Sequence, residues 1–189
     1  MIIVYGTTAS GKSERAEEIA LKYAKQYGLR LVYLATMENK SEAAQKRIKW
    51  HEEKRRGKGF YLAEEMYEPS KIEEKLPFKL ENSVVLLECL SNLVANVMFD
   101  NNGHGWVTGD ILMEETQMEL AGKVADSIFT LGSKCRELVV VTNNVFTEGK
   151  YEDFYCDAYM KCLGMVNIIL TQKADEFYEI TCGETWRLK

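Results

Sequence analysis

MIIVYGTTASGKS, residues 1–13, joins a short apolar run to a glycine-rich loop. Ile2 to Tyr5 predict a short buried strand. Gly6–Ser13 then follows the spacing glycine, four residues, Gly-Lys-Ser, which is typical of a phosphate-binding P-loop. The residues after the loop place mostly apolar side chains on one helical face: Ala16, Ile19, Ala20, Tyr23 and Ala24. This order of strand, loop and helix predicts a nucleotide-binding protein of the α/β class.

Eight residues of the loop are the predicted phosphate ligands: Gly6, Thr7, Thr8, Ala9, Ser10, Gly11, Lys12 and Ser13. The glycines let the backbone curl so that several N–H groups point at phosphate oxygens, and the following helix adds its positive dipole end. Lys12 is expected to reach the β- and γ-phosphates as a catalytic cation, and the Ser13 hydroxyl is expected to ligate Mg²⁺. The alternative, a glycine-rich turn without a ligand, is disfavoured by the strand–loop–helix context.

The composition bounds the class of protein. The 189 residues are 46% apolar and suit a single domain, which we expect to span residues 1–189. A net charge of −5 gives no general attraction to nucleic acid or to an anionic membrane. No apolar run reaches transmembrane length, and the first residues lack the basic stretch of a signal peptide. We therefore expect a cytoplasmic protein.

The five cysteines indicate neither a zinc site nor a disulfide framework. They are Cys89, Cys135, Cys156, Cys162 and Cys182, and none of them forms a Cys-x-x-Cys pair. Because a cytoplasmic protein keeps its thiols reduced, we expect free cysteines that are mostly buried.

Strand and helix signals alternate along the rest of the chain. Apolar runs predict strands at Leu31–Ala35, Phe60–Glu65, Ser83–Leu87, Leu138–Thr142 and Glu176–Thr181, with an edge strand at Trp186–Leu188. Helices are predicted at Ser41–Gly57, Pro69–Leu76, Ser91–Phe99, Asp110–Ser133 and Glu152–Lys173, and a loop at Asn101–Thr108. This alternation predicts a mostly parallel sheet covered by helices on both faces, with the strand order left open.

Polar residues follow several of the predicted strands. Ligands of such sheets bind beyond the carboxyl ends of the strands, which groups Gly6–Ser13, Ala35–Met37, Glu88 and Asn143-Asn144 on one rim. An acid in the position of Glu88 helps to hold Mg²⁺ or to orient a nucleophile in many P-loop proteins. The alternative for Glu88 is an ordinary ion pair with a surface cation.

The chain has two histidines, His51 and His104. His51 lies four residues from both Arg47 and Arg55, so the three side chains share one face of the predicted helix. The two cations would lower the pKa of His51 and keep its imidazole neutral and nucleophilic beside phosphate oxygens. A solvated side chain is the alternative for His51, and His104, in a glycine-rich loop, is interpreted as a surface residue.

Several motifs spread over nearly the whole chain are found together: Gly6–Ser13, Tyr33–Thr36, Arg47–His51 with Arg55, Leu86–Leu90 with Asn96, Val141–Asn143, Gly164–Asn167, Ala174–Glu176 and Gly183. Together they resemble the bifunctional adenosylcobinamide kinase/adenosylcobinamide-phosphate guanylyltransferase family of cobalamin biosynthesis. The P-loop alone is generic. The combination of Tyr-Leu-Ala-Thr, Arg-x-x-x-His-x-x-x-Arg and Leu-Leu-Glu-Cys is specific.

The resemblance implies two activities at one site. A nucleoside triphosphate, GTP or ATP, phosphorylates adenosylcobinamide, and GTP then donates GMP to the new phosphate through a guanylylated histidine that matches His51. The resemblance also implies nucleotide contacts at matching positions: Ala35, Thr36, Met37, Glu52, Glu53, Lys54, Arg55, Glu64 and Glu88. It further implies a RecA-like P-loop NTPase fold, Mg²⁺ as cofactor, and a homotrimer with sites near the subunit boundaries.

Two stretches depart from the family pattern. Asn143–Phe146 reads Asn-Asn-Val-Phe where the family usually has Asn-Glu-Val-Gly. Asp157–Lys161 replaces the usual Arg-x-Phe-Arg-Asp, so both arginines are missing and the acid is a base. Guanylylation is therefore better supported than kinase activity.

Three other functions stay open from the sequence. The first is a guanylyltransferase that has lost the kinase step. The second is a GTP-binding protein without catalysis, which would keep Lys12 but never label His51. The third is an unrelated small-molecule kinase, in which His51 is an ordinary surface residue. Labelling of His51 separates the first from the other two, and dependence of turnover on a cobinamide separates the third from the rest.

Overall fold

The computed structural model describes residues 1–38, 53, 57–100, 103–146 and 153–189. Within these ranges the chain forms one sheet of seven strands: β1 (Ile2–Gly6), β2 (Arg30–Ala35), β3 (Phe60–Glu64), β4 (Ser83–Glu88), β5 (Glu137–Asn143), β6 (Glu176–Thr181) and β7 (Glu184–Arg187). The order in the sheet is β3-β2-β4-β5-β1-β6-β7. Every pairing is parallel except that of β6 with β7. The predicted fold class, an α/β fold with a mostly parallel sheet flanked by helices, is confirmed.

The described helices flank this sheet: α1 (Lys12–Tyr27), α2 (Leu90–Met98), α3 (Glu114–Lys134) and α4 (Phe154–Lys173), with short 3₁₀ helices at Pro69–Lys75 and Leu80–Asn82. Helix α1 lies between two left-handed glycines, Gly11 with φ 94° and Gly28 with φ 65°. Such backbone angles are easily adopted only by glycine, so these two residues limit the helix at both ends. No described helix has the length and hydropathy that crossing a membrane requires.

The two faces of the sheet carry separate hydrophobic clusters in the described part of the chain. Ile2 and Val4 of β1 pack with α1, whereas Ile3 packs on the other face with α2, α3 and α4. Successive side chains of a strand point to opposite faces, so a strand covered on both sides needs an unbroken apolar run. This is why LVYLA, SVVLL and LVVVT, which carry no alternation, form central strands.

Several element boundaries differ from the sequence prediction. Helix α3 begins at Glu114 rather than Asp110, because the Asp110 carboxylate accepts the Leu112 N–H in a turn before the helix. Helix α4 begins at Phe154, after Asp153, whose carboxylate accepts the N–H groups of Tyr155 and Cys156 as an N-cap.

Two further predictions concern the last strand and the first half of the chain. The edge strand is Glu184–Arg187 instead of Trp186–Leu188, since a tight turn at Gly183 folds it back on β6. The predicted helix Ser41–Gly57 lies outside the described residues except for Glu53, which is helical, and Gly57, which has a φ of 84°.

The expectation of mostly buried cysteines is wrong. All five are free, but only Cys89 and Cys162 are buried. Cys135 is half-buried, Cys156 is exposed in the first turn of α4, and Cys182 is exposed in the turn between β6 and β7. Loops and helix ends lie at the surface, so a small apolar side chain there is not forced into the core.

Glu65 fastens the chain where it leaves β3. Its backbone N–H donates to the Ala35 carbonyl at 3.0 Å, and its buried carboxylate accepts the N–H groups of Tyr67 and Glu68 and the Lys75 ammonium. Burial by itself would raise the pKa of Glu65, but these hydrogen bonds outweigh it and hold the pKa below its usual value. The turn after β3 therefore depends on an ionised carboxylate.

We expect Glu65→Gln to lower the free energy of unfolding by about 1 kcal/mol at pH 7, because it removes the ion pair with Lys75. A carboxyl whose pKa is lowered in the folded state contributes stability above its unfolded pKa of about 4.3 and loses it as the pH falls through the folded value. Urea unfolding from pH 7 to about pH 3 should therefore show the gap to wild type closing at acidic pH. Glu81→Gln, on an exposed carboxylate, is the control. A gap that is independent of pH would contradict this role for Glu65.

Candidate nucleotide-binding site

The glycine-rich loop lies between the end of β1 and the start of α1, as its sequence predicts. It curls back on itself: the Ser10 N–H donates to the Thr7 carbonyl at 3.3 Å, and Ala9 and Gly11 both have positive φ angles. Helix α1 begins at Lys12 directly after this curl, so its free N–H groups point into the loop. An anion bound there would meet both the loop amides and the helix dipole.

The hairpin of β6 and β7 supports the loop from beside it. Gly183 donates its N–H to the Ser10 carbonyl at 3.0 Å, and the Ile180 carbonyl lies against Gly6. The sequence does not reveal this supporting role, because the role depends on β6 being the neighbour of β1 in the sheet. The signal present in the sequence was the Cys182-Gly183 turn, whose partner could not be deduced.

Lys12 is buried inside the loop, and its ammonium donates to the Thr7 carbonyl at 3.0 Å. The hydroxyl of Ser10 is also buried, and it has no hydrogen-bond partner within the described part of the chain. An orphaned donor beside a buried cation in a curled backbone is what a bound phosphate would satisfy. The loop therefore fits the phosphates of a nucleotide.

Glu88 and Ser13 meet across the rim of the sheet. The Ser13 hydroxyl donates to Oε1 of Glu88 at 2.5 Å, and the Tyr33 hydroxyl donates to Oε2 at 3.2 Å. A hydroxyl and a carboxylate are the oxygen ligands that Mg²⁺ prefers, usually completed by phosphates and water. These two residues therefore fit Mg²⁺ bound together with a nucleotide. In the described ranges, no group of three or more His, Cys, Asp or Glu side chains could hold a metal ion.

The ends of three neighbouring strands place more of the predicted residues on this rim. Ala35 is in register with Glu88 on one side and with Glu64 on the other. Glu64 is exposed at the end of β3, and Met37 is half-buried in the segment that follows β2. Thr36 is different, because its side chain is completely buried. The nucleotide contacts assigned to these residues remain predictions.

The segment that carries the predicted nucleophile is outside the described residues. This applies to His51 and to the predicted nucleotide contacts Glu52, Lys54 and Arg55. Glu53 alone is described, as an exposed helical residue. The proximity of His51 to the loop therefore stays a prediction.

Asn143 and Asn144 also reach the predicted rim. The Asn144 N–H donates to the Gly6 carbonyl at 2.8 Å, and the Asn143 amide donates to the Ser91 hydroxyl at 2.6 Å. Ser91 in turn lies 3.0 Å from the Cys89 thiol. Burial raises the pKa of Cys89, so this thiol stays protonated and is no nucleophile at neutral pH.

His104 is held by contacts with two neighbouring side chains. Its Nδ1 lies 2.9 Å from the Asp100 carboxylate, and its ring stacks on Tyr67 with centroids 3.9 Å apart. The Tyr67 hydroxyl donates to Glu38. His104 itself remains partly exposed, in agreement with its prediction as a surface residue.

Comparison with known proteins identifies a family and shows a distant likeness to solved structures. The model of the family described as cobinamide kinase / cobinamide phosphate guanyltransferase, CobU, matches residues 2–188. A comparison with curated protein sequences gave no match. Among solved structures, the chain is similar to the flagellar accessory protein FlaH from Methanocaldococcus jannaschii, with 15% identity, a TM-score of 0.48, and coverage of 100% of this chain and 77% of the other. It is also similar to a KaiC-like protein from Pyrococcus horikoshii, with 12% identity, a TM-score of 0.45, and coverage of 94% and 69%.

Gly6→Ala tests whether the loop needs its first glycine. A Cβ atom at this position would lie 2.6 Å from both the Ile180 carbonyl oxygen and the Ser10 hydroxyl, so the loop has to move. We expect the affinity for Mg·GTP to fall at least about 10-fold, measured by titration with a fluorescent GTP analogue.

The matched control is Gly122→Ala in the interior of α3, where a Cβ atom meets nothing within 4 Å. It should leave nucleotide affinity unchanged and raise the free energy of unfolding by about 0.5–1 kcal/mol. Equal nucleotide affinity in Gly6→Ala and wild type would show that the loop does not hold the phosphates.

Proposed function

Because the chain belongs to the cobinamide kinase/cobinamide phosphate guanyltransferase family, we propose that it uses one site for two successive reactions. In the first, GTP or ATP phosphorylates adenosylcobinamide. In the second, GMP passes from GTP to adenosylcobinamide phosphate through guanylylated His51, giving adenosyl-GDP-cobinamide. The family's substrates are a nucleotide and a cobinamide, and the order of transfer and the covalent histidine are our proposal.

The observation that carries this proposal is the contact of Ser13 with Glu88 beside buried Lys12. A loop of backbone donors, a buried ammonium and a hydroxyl–carboxylate pair lie on one rim. Together they can hold a triphosphate and spread the charge that builds on its oxygens during transfer. Mg²⁺ held by the Ser13 and Glu88 oxygens would supply further neutralisation of that charge.

The chemistry of guanylylation requires a nucleophile near the α-phosphate. A neutral His51 nitrogen attacks this phosphorus, a nitrogen–phosphorus bond forms, and the bond to the β-phosphate oxygen breaks to release pyrophosphate. An oxygen of cobinamide phosphate then attacks the same phosphorus and restores the histidine. One displacement is thereby divided into two easier ones.

An ion pair of Lys58, which follows His51 in the sequence, is consistent with this assignment. Lys58 lies seven residues after His51, and its ammonium pairs with Glu17 of α1 at 2.5 Å. Glu17 is one helical turn beyond Ser13. Seven residues span at most about 25 Å, so this anchor is compatible with a His51 that reaches the phosphate loop, as the proposal requires.

The kinase step needs the acceptor hydroxyl of adenosylcobinamide in line with the γ-phosphate. The hydroxyl oxygen forms a bond to the γ-phosphorus, the bond to the β-phosphate oxygen breaks, and the nucleoside diphosphate leaves while the hydroxyl loses its proton. The proposed assembly is a homotrimer, as the resemblance to the family implies, and its proposed location is the cytoplasm, as the composition suggests.

One observation favours a second candidate, a guanylyltransferase without the kinase step. Asp157 and Lys161 stand where the family pattern has its first arginine and its acid, and here they pair with each other at 2.8 Å. Phe146 stands where the pattern has a glycine and packs against Gly164. A kinase step that relies on the family's usual side chains would be weakened. The phosphate-binding loop Gly6–Ser13 carries none of these changes.

The first test is incubation of the pure protein with Mg²⁺ and GTP labelled at the α-phosphate, followed by intact mass and peptide mapping. We expect one acid-labile GMP adduct on His51. His51→Ala should abolish labelling and keep nucleotide affinity within about 3-fold of wild type, because the loop contacts remain. The matched control is His104→Asn, which changes the other histidine and should label normally.

A wild-type protein that binds GTP but forms no adduct would contradict the covalent mechanism and favour a non-catalytic role. An adduct on His104 would show that the nucleophile is His104 and that its assignment to His51 is wrong. Adding adenosylcobinamide with ATP, and separately adenosylcobinamide phosphate with GTP, then tests each half-reaction. Activity with the second pair alone would establish the guanylyltransferase without the kinase step.

A further inference from the structure

Thr36 lies on the rim among the predicted nucleotide contacts, but all of its polar groups are engaged by the protein. Its N–H donates to the Glu88 carbonyl at 3.1 Å, and its own carbonyl accepts the Asn96 amide at 2.7 Å. Its hydroxyl donates to the Cys89 carbonyl and accepts the Cys89 N–H, both at 2.8 Å. The side chain is completely buried, so the hydroxyl makes both of its hydrogen bonds within the protein.

The two bonds to Cys89 act on the residue directly after Glu88. One hydroxyl satisfies both the N–H and the carbonyl of the same residue, so it fixes that peptide segment at two points. The third bond, from the Thr36 N–H, holds the Glu88 carbonyl itself. Thr36 therefore fixes the backbone from which the Glu88 side chain projects.

The carboxylate of Glu88 is oriented separately. Ser13 donates to one oxygen and Tyr33 to the other, at 2.5 and 3.2 Å. These contacts act on the carboxylate of Glu88, whereas the bonds from Thr36 act on its backbone. A carboxylate held at both ends keeps its position relative to the phosphate loop when a ligand arrives, which is the requirement for a pre-organised site.

Asn96 connects this arrangement to the rest of the fold. Its amide donates to the Thr36 carbonyl at 2.7 Å and to the Met66 carbonyl at 2.9 Å. It lies on α2, the helix that follows Cys89, so β2, β4 and the turn after β3 are fastened together at the rim. The position of Thr36 is thus fixed independently of any nucleotide.

We infer that Thr36 is a positioning residue and is not itself a nucleotide ligand. Its two hydrogen bonds to Cys89 hold Glu88 in place for Mg·nucleotide binding. The inference rests on the proposed function, because it assigns Glu88 to the Mg·nucleotide site. Thr36 would then act on the substrate only through Glu88, although the sequence groups it with the predicted nucleotide contacts.

A double-mutant cycle of Thr36 with Glu88 tests this coupling, with the affinity for a fluorescent GTP analogue measured at several Mg²⁺ concentrations. Thr36→Val keeps the shape and removes the hydroxyl, and should weaken Mg·nucleotide binding about 10-fold. Thr36→Ser retains the hydroxyl and should restore affinity to within about 2-fold of wild type. In the Glu88→Gln background, Thr36→Val should cause less than about a 2-fold further loss, since its effect acts through Glu88.

Thr142→Val is the matched control for general damage. Thr142 is also completely buried, and its hydroxyl donates to the Asn167 side chain at 3.0 Å. It should lower the melting temperature without changing the Mg²⁺ dependence. If Thr36→Val does not fold, Thr36→Cys, which offers a weak donor of similar size, should show a smaller loss of about 3-fold.

An undiminished loss in the Glu88→Gln background would overturn the inference, because Thr36 would then act independently of Glu88. So would a loss in Thr36→Val that is the same with and without Mg²⁺. The readout needs no corrinoid, so it is separate from the test of transfer. A wild type that binds nucleotide without forming an adduct contradicts the proposed function alone, and one that binds no nucleotide contradicts both.

Discussion

The hydrogen bond between Ser13 and Glu88 is the contact on which the candidate site depends. The two residues are 75 positions apart in sequence, and β5 lies between the strands that lead to them. Glu88 follows Val84 and Leu86 at spacings of two, so it points to the face of the sheet that α1 covers. Ser13 lies in the first turn of α1. The parallel direction of the strands and the two-residue period of β4 thus bring the acid to the loop.

The same constraint explains why polar side chains are buried at this rim. Lys12 and Thr36 are both buried, and each has backbone carbonyl partners that offset the loss of water. Tyr33 lies on the α1 face with Glu88 and donates its hydroxyl to it. A ligand site of this kind loses little order on binding, because its donors are already directed before the nucleotide arrives.

The sequence was sufficient for the local parts of this arrangement. The P-loop spacing predicted the curl and helix start at Lys12, and unbroken apolar runs predicted the central strands. It could not show that β5 separates β1 from β4, or that Gly183 supports Ser10, because pairing between distant strands depends on the complete sheet. Nor could it separate residues that touch a ligand from residues that hold them, since motif matching assigns Thr36 and Glu88 equally.

Two of the departures from the family pattern in α4 form an ion pair at the helix surface. Asp157 and Lys161, one turn apart, pair with each other towards solvent, whereas Ala158 and Cys162 remain buried against the core. Tyr159, which stands where the pattern has phenylalanine, donates its hydroxyl to the Ser91 carbonyl at 3.1 Å and so joins the helix to the rim. The helix therefore has a buried face packed on the core and a hydrogen bond to the residue that follows Leu90 at the rim. Under the proposed function the divergence would therefore bear on the acceptor, because the contacts of Lys12, Ser13 and Glu88 do not involve these residues.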